Sequence, residues 1–215
     1  MEARSAQGQP LRHALVGTLL VAPAALALAA CGTGPRQDEK EPRGKFPVEV
    51  TAASFPTTQK LAKTSKLVIK VRNAGSKTIP NLALTVRGFD QRRNDPRLAD
   101  PTRPVFVLNG RTVEVASLPE ATEGGPLGCG TAQSDTWACG PLKAGRTKRY
   151  SWSVTAVQPG PFKVSWRIAA GLNGKALAVG AQGGPVSGSF AGRISKRPPK
   201  TRVSDNGRTI INGTR

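Results

Sequence analysis

Residues 149–170 read RYSWSVTAVQPGPFKVSWRIAA, and the alternation of their side chains decides the fold class. Tyr150, Trp152 and Val154 fall on every second position before the break, and Phe162, Val164, Trp166 and Ile168 do so after it. A period of two marks a half-buried β-strand, because successive side chains of an extended chain point to opposite faces. The break QPGP, residues 158–161, is expected to turn the chain as a hairpin between the two strands. Aromatic faces such as those of Trp152 and Trp166 can stack on sugars, but their inward parity assigns them to a core.

The same period recurs upstream. In KLVIKVRNAG, residues 66–75, Leu67, Ile69 and Val71 alternate with Val68, Lys70 and Arg72. In NLALTVRG, residues 81–88, Leu82, Leu84 and Val86 alternate with Ala83, Thr85 and Arg87, and NAGSKTIP joins the two strands. Downstream, Asn173-Gly174 suits a turn with positive φ leading into KALAVG. Weaker strands are expected at 48–52, 105–108, 112–116 and 189–194, and no stretch of the body has helical spacing. About eight short strands between Gly and Pro turns indicate a β-sandwich. A chain of 215 residues with 24 Gly and 18 Pro suits one such domain with linkers or tails, and no repeat period is evident.

Two of these stretches, KLVIKVRNAGSKTIPNLALTV with its Asn73-x-Gly75 turn and LKAGRTKRYSWSVTAVQPGPFKVSWRI with Leu142-x-x-Gly145, resemble the immunoglobulin-like sandwich modules of bacterial envelope proteins, particularly the CARDB type. The resemblance spans roughly residues 46–170 and implies an all-β, immunoglobulin-like antiparallel β-sandwich of about seven to nine strands, here placed at 46–195. It carries no active site. The chain departs from the pattern between Arg87 and Leu142, where GFDQRRNDPRLADPTRP and a cysteine-containing loop add length. Long loops on a rigid scaffold are where binding surfaces arise, so Arg92 and Arg93 in the first loop and Asp135 and Trp137 in the second are the candidate binding residues. Trp137 either meets a partner or covers one end of the sandwich.

The N-terminus points to export. Met1 to Arg12 is polar, and Ala14 to Ala30 is apolar apart from breaks at Thr18 and Pro23, the layout of a signal segment. It ends in Leu28-Ala29-Ala30-Cys31, which resembles the lipobox of bacterial lipoproteins. That resemblance implies removal of residues 1–30 and attachment of a diacylglycerol to Cys31. Residues 31–45 would then be a flexible tether, holding the domain at the outer face of the bacterial cell membrane. Plain secretion with a free thiol at Cys31 is the alternative. Three cysteines are an odd number for an exported chain; Cys129 and Cys139 lie close enough to form a disulfide, and Cys31 is left over.

The formal net charge is +19, and only Glu2, Arg4 and Arg12 precede Cys31, so the basic character belongs to the body. Such a field attracts anionic surfaces, although a genome rich in arginine codons would produce the same bias. Residues 196–215 form a basic tail expected to run extended through Pro198-Pro199. It interleaves no aromatics with its charges, as a nucleic-acid binder would, so anionic lipid heads or acidic wall polymers suit it better than nucleic acid; a merely solvated tail suits it equally.

Catalytic chemistry is poorly provided for. The only histidine is His13, inside the expected signal, so the mature chain lacks Ser-His-Asp, Cys-His and histidine-bound metal sites. Two cysteines are too few for structural zinc, and their spacing is not that of a redox pair. Asp90, Asp95 and Asp100 recur at five-residue intervals among Arg92, Arg93 and Arg97, a pattern of local salt bridges and turn caps rather than of a calcium loop or a glycosidase pair. No catalytic residue, metal or cofactor is therefore expected. The leading expectation is a membrane-anchored, non-catalytic binding or structural module of the cell envelope, with an envelope protein or an anionic polymer as partner. The others are an electrostatic adhesin for wall polymers or lipid head groups, and an enzyme of unfamiliar type.

Overall fold

The computed structural model describes residues 38–110, 124–198, 200–203 and 210–212. The expected signal, Cys31 and the expected strand at 112–116 lie outside these residues. Among the described residues every regular element is a strand: β1 (Gly44–Ser54), β2 (Thr58–Lys60), β3 (Thr64–Asn73), β4 (Ala83–Arg87), β5 (Phe106–Leu108), β6 (Gly130–Gln133), β7 (Thr136–Ala138), β8 (Thr147–Ala156), β9 (Gly160–Ala169), β10 (Ala176–Val179), β11 (Val186–Ser195), β12 (Thr201–Val203) and β13 (Ile210–Asn212). One sheet runs β10-β1-β3-β8-β5 and the other β2-β11-β9-β4-β7-β6, while β12 and β13 pair with each other. Pairing is antiparallel except where β10 joins β1 and β2 joins β11. The expected all-β sandwich is therefore present. It holds eleven strands in its two sheets because β2 and the β6–β7 hairpin, too short to show a period, add to those legible from alternation.

The connections differ from expectation. Each consecutive pair of strands from β1 to β11 changes sheet, apart from β6–β7. QPGP is accordingly an arch between sheets and not a hairpin: β8 pairs with β3 and β5, whereas β9 pairs with β4 and β11. The physical reason lies in both the break and its flanks. Pro159 and Pro161 lack the N–H groups that a hairpin ladder would use at its closed end. The N–H groups of Val157 and Gln158 instead bond to Val105 O, at 3.0 and 3.4 Å. Crossing also sets the apolar face of β8 opposite that of β9, so each covers the other. NAGSKTIP is likewise an arch, carrying the chain from β3 in one sheet to β4 in the other.

The inward positions are those the alternation selects. Leu67, Ile69 and Val71 of β3, Tyr150, Trp152 and Val154 of β8, Leu84 and Val86 of β4, and Phe162, Val164, Trp166 and Ile168 of β9 are all buried in one cluster. Each fully buried side chain of this size contributes roughly 1.5–3 kcal/mol relative to exposure. Phe55 gathers Phe89, Phe106, Phe162 and Phe190 around it in edge-on contacts with ring centroids 5.6–6.2 Å apart. Gly188 stands opposite Trp166 in the β11–β9 ladder, and a Cβ there would lie 2.5 Å from the indole. Glycine at that position is what lets the indole lie across β11.

The segment expected as tether joins the domain before residue 46. Glu41 accepts backbone hydrogen bonds from Asn173 at 2.7 Å and Ala176 at 2.6 Å, capping the turn between β9 and β10. Burial alone would raise its carboxyl pKa, but the N–H groups of Ala176, Asn173, Leu172 and Lys175 outweigh burial and hold it below the ordinary value. β1 then begins at Gly44.

Candidate functional site

The two cysteines form a disulfide. Gly130 pairs with Ala138 in the β6–β7 ladder, so Cys129 and Cys139 are the next facing positions and the bond closes the open end of the hairpin. β7 pairs in turn with β4, through Leu84 and Trp137, which makes the hairpin the edge of its sheet. That pairing fixes the parity of Trp137: the ring points inward, is 2% exposed, and meets Trp152 edge-on at 5.5 Å. The expectation that Trp137 contacts a partner is corrected, since a ring in the core is not available to one. The signal missed was Ser134-Asp135 midway between the two cysteines, a pair of turn-forming residues that reads as a hairpin turn closed by the disulfide. Replacing both cysteines with serine should lower unfolding stability by about 2 to 3 kcal/mol, from the loop entropy regained by the unfolded chain, as read by urea denaturation. An unchanged midpoint would show that the strand pairing alone secures the hairpin.

Asp135 sits at the turn of that hairpin, half-buried, its carbonyl accepting from Val86 N at 2.8 Å. Burial raises its carboxyl pKa, nearby Asp90 raises it further, and Arg87 pulls the other way. The structure thus brings Asp135 beside Asp90 and Arg87, not beside Trp137's ring or the arginines of the first loop.

In the first loop the carboxylates serve as salt-bridge and turn partners. Asp95 holds Arg97 through both oxygens, at 2.8 and 2.9 Å, and also accepts from Arg97 N. Asp100 accepts from the backbone and hydroxyl of Thr102. Arg92 is exposed and donates to Thr102 O at 3.0 Å. Arg93 takes a different course. Its guanidinium lies on the QPGP arch, donating to Pro161 O at 2.6 Å, Pro159 O at 3.1 Å and Gln158 Oε1 at 3.4 Å, while Gln158 Nε2 donates back to Arg93 O. Among the described residues no three of His, Cys, Asp and Glu gather so as to hold a metal ion.

Two of the concave surfaces among the described residues are lined by several basic side chains. One is a cleft of about 720 Å³ where the first loop, the arch and the end of β11 meet, walled by Arg93, Asp95, Arg97, Arg193 and Lys196. The other is a shallow trough of about 510 Å³ on the outer face of β4, β9 and β11, lined by Thr85, Arg87, Lys163, Arg167 and the small residues Ser165, Ser187 and Ser189. Its composition follows from parity, because these are the outward partners of the core positions, and cross-strand neighbours place Thr85 and Ser187 on either side of Arg167. Among the described residues ion pairs join Arg72 to Glu49 and Arg97 to Asp95, and Lys163 and Arg167 have no carboxylate partner. The sequence predicted a basic body but not where its unpaired charge collects.

No family model matches the chain, and no curated protein does. Among solved structures it is similar to a CARDB domain from Pyrococcus furiosus, at 12% identity and a TM-score of 0.37, over 70% of this chain and 92% of that one. It is similar to Escherichia coli alpha-2-macroglobulin at 14% identity and a TM-score of 0.40, over 73% of this chain but 7% of that one. It is also similar to PapD-like domain 7 of human CEP192, at 12% identity and a TM-score of 0.37, over 81% of this chain and 98% of that one. The CARDB type anticipated from two stretches of sequence is thus among the similar structures, and the fold class rests on the two sheets themselves: an all-β sandwich of immunoglobulin-like kind.

Proposed function

We propose that this chain is an exported, lipid-anchored module of the bacterial cell envelope that works by binding and not by catalysis, and that it holds an anionic envelope polymer in the trough on the outer face of β4, β9 and β11. The observation that carries the reading is the band of Arg87, Lys163 and Arg167 set among serine and threonine hydroxyls, with no carboxylate on Lys163 or Arg167. Cations left unpaired on a shallow face attract a chain of anionic groups, and short hydroxyl side chains between them let its backbone lie close. The anchor is supported by the lipobox-like Leu28-Ala29-Ala30-Cys31 and by the pairing of the other two cysteines, which leaves Cys31 for attachment.

Long-chain inorganic polyphosphate serves as a probe of the trough. Lys163→Ala with Arg167→Ala should weaken its binding about five- to tenfold at low salt, and should lower the slope of log affinity against log salt by between 1 and 2. Salt-insensitive binding, or the same slope in the double variant, would remove the trough from the function. Mass spectrometry of the mature N-terminal peptide tests the anchor separately, and an unmodified Cys31 there would refute it.

A further inference from the structure

We infer that the cleft formed by the first loop, the QPGP arch and the end of β11 is a second, compact anion site that takes the phosphoryl group of a phosphate monoester. It adjoins the trough along β9 and β11 but shares no lining residue with it, and stands whether or not the trough binds a polymer. Arg93, Arg97, Arg193 and Lys196 face Asp95 as the only carboxylate among the lining residues, an excess of three positive charges in one concavity. Asp95 is already taken: Arg97 grips both its oxygens and, as the first cause, its hydrogen bond holds the carboxyl down to about 2. Among the described residues Arg193 and Lys196 make no ion pair, although Lys196 is near enough to Asp95 to help lower its carboxyl pKa.

Arg93 shows that the site is built. A guanidinium carries five N–H groups. Three of them are committed to neutral acceptors, the carbonyls of Pro159 and Pro161 and the amide of Gln158, so the side chain is fixed in place while its charge stays uncompensated by hydrogen-bonded carboxylate. One N–H remains on each terminal nitrogen for a ligand. Gly160 belongs to the same construction, because a Cβ there would stand 2.6 Å from Arg93 Nη1 and push the guanidinium off the arch. A doubly charged phosphoryl group matches the charge excess better than a carboxylate or a sulfate ester, which carry one charge each. The volume, far larger than one phosphate, leaves room for the alcohol to which it is esterified, and the lining has no aromatic ring to select an apolar one.

The probes are glycerol 3-phosphate in solution and phosphatidic acid in phosphatidylcholine vesicles, which present the same group free and as a lipid head. Titration followed by the NMR signal of Arg93 Nε–H should saturate with glycerol 3-phosphate. Arg193→Ala with Lys196→Ala should weaken binding at least tenfold, whereas Lys163→Ala with Arg167→Ala should leave it within twofold. Gly160→Ala, which changes no charge, should weaken it as well; the exposed Arg193 and Lys196 variants keep the test valid if that substitution unfolds the chain. Binding of the vesicles alone, with the same loss in the cleft variant, supports the site with a head group as its ligand. Binding by neither probe, or equal loss in the two double variants, would overturn the site. Failure of the parent protein to bind polyphosphate, with glycerol 3-phosphate still bound, would count against the trough only.

Discussion

Trp152→Ala is expected to lower unfolding stability by about 3 to 5 kcal/mol, measured by chemical denaturation of the folded domain. Trp152 is 0% exposed and sits in β8 beside Leu67 of β3, with Trp137 from the opposite sheet against its ring at 5.5 Å. Removing the indole would open a cavity walled by large side chains of both sheets, which a rigid sandwich cannot collapse to fill. The cost is thus transfer of the ring plus the void it leaves. Because Trp137 belongs to the hairpin stapled by Cys129–Cys139, the hairpin would also lose its apolar support, and amide exchange in β6 and β7 should quicken. Trp152→Phe separates packing from polarity: among the described residues Trp152 Nε1 has no hydrogen-bond acceptor, so its loss costs nothing and part of the void is refilled. The phenylalanine variant should retain at least half of what alanine loses. A loss under 1 kcal/mol for alanine would mean that the two sheets are not held together here.

Periodicity made the strands legible but not their partners. A period of two states which side chains share a face, so the inward rows of β3, β4, β8 and β9 follow from residue types alone. It does not state which sheet a strand joins. Gly and Pro in QPGP signal a turn, and although Pro159 and Pro161 weigh against a hairpin ladder, the crossing between sheets shows only in Val105 accepting the N–H groups of residues 157 and 158. Trp137 was unreadable for a related reason: three residues of β7 are too few to show alternation, and the pairing with Leu84 that turns its ring inward is a contact across 53 positions of sequence. Glu41 falls in a stretch whose composition signals solvated chain, and only the fold brings the β9–β10 turn to its carboxylate. The basic cleft is legible in part. Arg93 was a candidate by its place in a long loop, whereas the β11–β9 ladder brings Arg193 to it and Lys196 follows just past the end of β11.

Asn73→Ala is expected to cost about 2 to 4 kcal/mol, although the residue lies near the arch between β3 and β4, where loop substitutions are ordinarily tolerated. Its side chain is fully buried and makes three hydrogen bonds. Nδ2 donates to Lys77 O and to Leu142 O, each at 2.8 Å, and Oδ1 accepts from Gly75 N at 3.0 Å. Its backbone is engaged as well, donating to Arg146 O and accepting from Gly145 N. The two sequence stretches that resemble envelope sandwich modules, Asn73-x-Gly75 and Leu142-x-x-Gly145, are therefore two halves of one clasp, reinforced by the mutual backbone bonds of Ile79 and Leu142. Alanine would remove the donor to Lys77 O and Leu142 O and the acceptor of Gly75 N; Leu142 O would keep Ile79 N, so the cost is the loss of three hydrogen bonds at about 0.5 to 1.5 kcal/mol each. Asn73→Asp distinguishes the clasp from a simple turn. Aspartate could still accept from Gly75 N, so if the turn were the purpose it would rescue stability. Its second oxygen would instead face the carbonyls of Lys77 and Leu142, so the clasp requires aspartate to be no more stable than alanine in urea at neutral pH. A variant as stable as the parent would leave the clasp without energetic meaning and reduce Asn73 to a residue that shapes a bend.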